Sequence, residues 1–168
     1  MTKTIYVNWD EHYIKLTWYP STELPPLEKV TSVHGYCFYK DKILLVHIKG
    51  RGFNTPGGHI EDNETPEAAL HREVYEEGYV KGTHKYIGMI EVSHEENPHF
   101  DSGGKYPLIG YQLFYRMDIT ECLSFKRENE ATSRIWVEPE ELPYVIDDHE
   151  LSSLILKEAM KQGSCLVE

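Results

Sequence analysis

The sequence predicts an α/β/α sandwich, an α/β (α+β) fold with a mixed sheet and an added N-terminal β-hairpin. Two observations lead there: strand-like runs are interleaved with two amphipathic helical stretches, and the first runs form a closely spaced pair. A chain of 168 residues holds one domain with a proper core, and two would be cramped. Residues 1–168 are therefore read as a single domain, with 1–24 as the hairpin extension and 30–163 as the core.

Each element has its own signal. Residues 4–9 and 13–19 are rich in aromatic and β-branched side chains and flank Asp10, Glu11 and His12, which reads as a hairpin. Pro25 and Pro26 break the connector that follows. Residues 31–39 and 43–48 read as two strands joined at Lys40, Asp41 and Lys42, and a glycine-rich loop comes next. The clearest helix spans 65–77. Thr65 can cap it, Pro66 suits its first position, Glu67 complements the dipole, and Gly78 can end it in the left-handed conformation. Strands are expected at 84–93, 108–119 and 133–138. A long polar loop occupies 94–107, and long loops within compact domains are usually functional. A last helix is expected over 148–162, with Asp147 and Glu150 at its start and Gly163 at its end.

No apolar run approaches the roughly 18 residues that cross a membrane. The stretch MTKTIYVNWDEHY lacks a secretory apolar segment, so the expectation is a cytoplasmic protein with no membrane partner. Cys37, Cys122 and Cys165 are too scattered for a disulfide framework or zinc knuckle. Cys37 and Cys122 lie in apolar stretches and are expected to be buried. A net charge of −11 argues against a DNA-binding face. A small anionic substrate then needs a local reversal of sign, which a metal ion on clustered carboxylates supplies.

Such a cluster exists. Glu73, Glu76 and Glu77 stand at i, i+3 and i+4, within an arc of about 100° on a helix. Their mutual repulsion calls for a counter-charge. Arg72 projects about 100° away, which leaves a divalent cation to neutralise all three. A solvated acidic helix face would show the same three residues, so the surrounding pattern decides.

Residues 58–80 read GHIEDNETPEAALHREVYEEGYV. Gly58, five residues, Glu64, seven residues, then Arg72, Glu73, Val74, Tyr75, Glu76 and Glu77 reproduce the charged positions and both gaps of the Nudix box. The stretch resembles that motif, with one departure: the family's final glycine falls at Tyr79, and the glycine stands one place earlier, at Gly78.

The resemblance implies a Mg²⁺-dependent hydrolase, Mn²⁺ being an alternative, that cleaves a phosphoanhydride bond in a small nucleotide-type substrate. That substrate would be a nucleoside diphosphate linked to another moiety, or a nucleoside triphosphate. It implies Glu73 and Glu77 as principal metal ligands with Glu76 close behind, and the Gly58 carbonyl completing their shell. It makes Arg72 and Glu64 an orienting ion pair. A further carboxylate, serving as ligand or general base, is expected at Glu130, with Glu128 or a box glutamate as alternatives. Relatives that isomerise isopentenyl diphosphate need a catalytic cysteine near the box, absent here; a non-hydrolysing nucleotide-binding or regulatory module usually loses box glutamates, retained here. Pro98, near a position where ADP-ribose enzymes carry proline, gives that substrate slight support. His59 and His71 are read as surface residues; Arg51, just ahead of the glycine loop, either contacts substrate phosphate or is solvated, the second being the commoner case. The hairpin either extends the chain's own sheet or pairs across a homodimer.

Overall fold

Ile43, Leu44, Leu45 and Val46 are consecutive and fully buried, so their strand is covered on both faces. In the computed structural model, which describes residues 1–163, Ile43 and Leu45 enter one apolar core and Leu44 and Val46 another. Nine strands separate those cores: β1 (Lys3–Trp9), β2 (His12–Pro20), β3 (Val30–Tyr39), β4 (Lys42–Ile48), β5 (Gly52–Asn54), β6 (Gly57–His59), β7 (Val80–Ser93), β8 (Ile109–Cys122) and β9 (Ala131–Val137). The helices are α1 (Pro66–Gly78), α2 (Leu142–Val145) and α3 (Leu151–Gly163).

The sheet runs β1-β2-β7-β8-β3-β4-β5, with β6 on β3 and β9 on β4. Only β3 and β8 pair in parallel among these strands, giving the mixed sheet the sequence predicts. Leu70 and Val74 of α1 pack on one face with Leu44, Val46 and Leu113. Leu151, Ile155 and Ala159 of α3 pack on the other with Leu16 and Trp18. The result is an α/β/α sandwich.

One split in the sheet places the functional residues. β4 pairs with β3 only at Phe38–Ile43 and Tyr39–Lys42 and then diverges. β6 takes the vacated edge, with Val33 opposite Gly58 and His34 opposite Gly57. Two glycines thereby lie on the sheet beside α1. The hairpin turns at Asp10 and Glu11, whose φ values of 50° and 70° suit a two-residue turn of primed type. β2 then pairs with β7 from Lys15–Ser93 to Pro20–Gly88, so the hairpin extends the chain's own sheet.

Several expectations are corrected. Gly78 is the last helical residue, and the left-handed cap is Tyr79, at φ 56° and ψ 42°. A Cβ at position 78 would lie 2.6 Å from Leu44 Cδ2, so this glycine permits close packing of helix on sheet. Asp147 does not cap α3: its Oδ2 accepts from Phe53 N–H at 2.8 Å, which ties the approach to α3 to β5. Cys37 is buried, but Cys122 is exposed because β8 ends in three exposed residues. β7 begins at Val80, directly after the cap, and α3 begins at Leu151. Cys165 lies outside the described residues.

Candidate active site

Helix α1 forms where its signals predict. Thr65 Oγ1 accepts from Ala68 N–H at 3.1 Å, and Pro66 occupies the first turn. Its buried stripe runs Ala69, Leu70, Val74 and Glu77, so helical periodicity carries a carboxylate under the sheet edge where an apolar residue belongs. Glu77 is 5% exposed. Burial pushes its carboxyl up to about 7, against the pull of the Gly57 N–H that donates to Oε1 at 3.0 Å. Glu73, on the flank of the stripe, is also pushed up by burial and drawn back by Arg72.

The glycine strand meets this helix closely. A Cβ on Gly58 would fall 2.6 Å from Glu73 Oε1, so only glycine lets the carboxylate rest on the backbone. Arg72 binds Glu64 with both edges of its fork, Nε at 2.7 Å and Nη2 at 2.9 Å. That pairing holds the Glu64 carboxyl below its ordinary range. The same guanidinium reaches further than its helical angle suggests. Its Nη1 donates to Glu73 at 2.7 Å and Glu76 at 3.4 Å, and its Nη2 donates to the His59 carbonyl at 3.1 Å. Among the three helix glutamates, Glu77 is the one Arg72 does not pair with.

Glu130 arrives from the segment between β8 and β9 and completes the wall of the cleft. It pairs with Arg51 Nη2 at 2.9 Å, both side chains being largely exposed. Glu128 does not line the cleft; its N–H donates to the Tyr79 hydroxyl at 2.9 Å. The structure therefore brings Gly58, Arg72, Glu73, Glu76, Glu77 and Glu130 to one cleft of about 740 Å³. Glu64 stands behind it, through Arg72. Sequence reasoning missed Asn129, which lines the cleft and donates to the Glu76 carbonyl at 3.2 Å. It also read His59 as a surface residue and favoured solvation over phosphate contact for Arg51, whereas both line the cleft. Their nearness to the glycine loop is the signal that points to them.

Among the described residues, no group of three or more His, Cys, Asp or Glu converges as if to hold a metal ion. The reason is visible: Arg72 engages Glu73 and Glu76, while the Gly57 N–H engages Glu77. In donor chemistry the residues do fit a divalent cation. They offer hard carboxylate oxygens beside the Gly57–Gly58 backbone, and Glu77 is buried with a backbone N–H and no cationic side chain bonded to it among the described residues.

The sequence model of the NUDIX domain matches residues 28–155. The chain belongs to the NUDIX family. Solved structures show the same fold. The Bacillus subtilis pyrophosphohydrolase BsRppH is 22% identical, with a TM-score of 0.70 over 95% of this chain and 98% of that one. A C. elegans Ap4A hydrolase is 13% identical, with a TM-score of 0.52 over 80% of this chain and 99% of that one. An ADP-ribose pyrophosphatase from Streptococcus suis is 18% identical, with a TM-score of 0.51 over 77% and 90%. At these identities the likeness establishes the fold alone. No curated protein matches the chain. The NUDIX match begins at residue 28, so β1 and β2 lie outside it.

Proposed function

We propose that this NUDIX protein is a divalent-metal-dependent pyrophosphohydrolase. Its substrate is a nucleoside diphosphate linked to another moiety, or a nucleoside triphosphate. The observation that carries the reading is the placement of Glu77 at the buried end of the α1 stripe, with Glu73 and Glu76 beside it and Gly57–Gly58 against them. A hydrophobic residue would serve the helix better there, so the carboxylate is retained for its charge. Solved relatives named for cutting pyrophosphate, Ap4A and ADP-ribose support a phosphoanhydride as the bond attacked.

Glu73, Glu76, Glu77 and the Gly58 carbonyl are the groups that would hold Mg²⁺ or Mn²⁺. When bound there, such an ion would supply charge neutralisation at the phosphoryl oxygens and a more acidic water. The chain's own residues do the rest. The Gly57 N–H fixes the orientation of Glu77, and Glu64 holds the Arg72 guanidinium against Glu73, where it occupies an oxygen the ion would take. Glu130, on the far wall and exposed, takes the proton from the attacking water. Arg51 lies beside it, where it meets substrate phosphate.

The test is phosphate release from ADP-ribose, nucleoside triphosphates, dinucleoside polyphosphates and sugar nucleotides, with Mg²⁺, with Mn²⁺ and with chelator. Metal-dependent cleavage of at least one class is expected. Silence across the panel, alongside measurable Mg²⁺ binding, would point instead to a nucleotide-binding module without hydrolysis.

A further inference from the structure

A second cavity, of about 420 Å³, adjoins the cleft through His59, which lines both. Its walls come from the hairpin that lies outside the NUDIX match, from the end of β7 and from the start of β8. Trp9, Ile14, Val92 and Pro107 make those walls largely apolar, and Tyr106 adds a second aromatic face. Neither lysine nor arginine lines this cavity, and Asp10 does. A phosphate is therefore repelled, whereas a flat neutral group is accommodated.

Its polar chemistry is set from behind. Asn97 is 7% exposed and does not itself line the cavity. Its Oδ1 accepts from His99 N–H at 3.0 Å, which fixes the amide so that Nδ2 is the donor. That one nitrogen lies 2.9 Å from His12 Nδ1 and 3.1 Å from His94 Nδ1. Both Nδ1 atoms must then accept, and each neutral imidazole carries its proton on Nε2. Burial holds the His94 pKa down, with His12 adding to the effect, which agrees with a neutral ring. Both rings line the cavity, whereas Asn97, which takes up their Nδ1 atoms, does not. Neither Nε2 has a partner among the described residues.

We propose that this cavity binds the base of the substrate and selects a 6-oxopurine over a 6-aminopurine, with His12 and His94 as its paired donors. This rests on the pyrophosphohydrolase reading for the position of the phosphates. Guanine presents two acceptors, O6 and N7, on one edge, whereas adenine replaces one with an amino donor. Two fixed N–H donors satisfy the first edge and leave a donor facing a donor on the second. The hairpin, which lies outside the NUDIX match, and the 94–108 loop, which lies within it, thus together form the specificity element. Tyr6 Oη donating to Glu96 at 3.1 Å fastens the one to the other.

The experiment is calorimetric binding of GMP, IMP and AMP to the full chain without metal. Monophosphates have no phosphoanhydride bond, so turnover plays no part. GMP and IMP are expected to bind about ten-fold or more tightly than AMP. His12→Phe and His94→Phe keep a ring and remove a donor, and each should bring the preference to within about three-fold. Equal binding of GMP and AMP by the wild type would overturn the proposal. So would no binding at millimolar ligand, or a preference kept intact in both variants. Equal hydrolysis of GTP and ATP would remove the base selection and leave the hydrolase. GMP-selective binding with no hydrolysis of any nucleotide would do the reverse.

Discussion

The hydroxyl of Tyr79 accepts a hydrogen bond from the Glu128 N–H at 2.9 Å. Tyr79 occupies the place where the family motif has glycine, and it adopts the left-handed conformation that glycine favours, at a cost of about 1–2 kcal/mol for a residue with a Cβ. The side chain offsets that cost by binding the segment that follows β8. Its carbonyl accepts from Leu123 N–H at 2.9 Å, and its ring packs edge-on against Phe125 at 5.1 Å. With Asn129 bound to the Glu76 carbonyl, residues 123–130 are held to the end of α1, and Glu130 is delivered to the cleft.

Tyr79→Phe should therefore loosen that segment while sparing the core. Loss of one hydrogen bond predicts about 0.5–1.5 kcal/mol of destabilisation. Hydrogen exchange at the Glu128 amide should accelerate while amides of β3 and β8 stay protected. Unchanged exchange at Glu128 would show that the hydroxyl holds nothing.

Glu77 predicts a pH dependence. Its carboxyl titrates near 7 in the folded protein, against a reference of 4.5. Between those values the folded state keeps a proton that the unfolded chain has released, so stability falls as pH rises through the window. In metal-free solution the wild type should lose on the order of 2–3 kcal/mol more than Glu77→Gln between pH 5 and pH 8. Denaturant unfolding at the two pH values measures this difference. Identical losses would mean that Glu77 ionises freely.

Arg72 competes for the oxygens assigned to the metal, since its Nη1 already holds Glu73 and Glu76. Arg72→Ala should lower stability without metal, because three helix carboxylates then repel unopposed. It should also enlarge the stabilisation that Mg²⁺ gives, by about 1.4 kcal/mol for each ten-fold gain in affinity. Thermal unfolding with and without Mg²⁺ decides the matter. A smaller Mg²⁺ shift than in the wild type would show that Arg72 organises the ligands instead of opposing the ion.

Most of the helix and its charges were legible from the sequence because they obey local rules. Thr65, Pro66 and the spacing of Leu70, Val74 and Glu77 set α1 without help from the rest of the chain. The reach of Arg72 to Glu73 and Glu76 was not, because helical angles locate a Cβ and not the end of a long flexible side chain. β5 and β6 have three residues each and exist through partners elsewhere, namely β4 and β3. The wall that Trp9, His12 and His94 build together depends on β2 lying beside β7, a pairing no local pattern announces. Asp147 shows the same limit. It has the chemistry of a helix cap, and a backbone N–H on β5 takes it first.

The most direct test of the account is turnover of the best nucleotide substrate in Mg²⁺ by the wild type and by Glu77→Gln. Glutamine can still accept from the Gly57 N–H, so the fold should be kept, and near-ultraviolet circular dichroism should be unchanged. The account predicts a fall in kcat of roughly 10²–10⁴-fold. Activity near that of the wild type would contradict it, and would place the metal and the chemistry somewhere other than the carboxylates of α1.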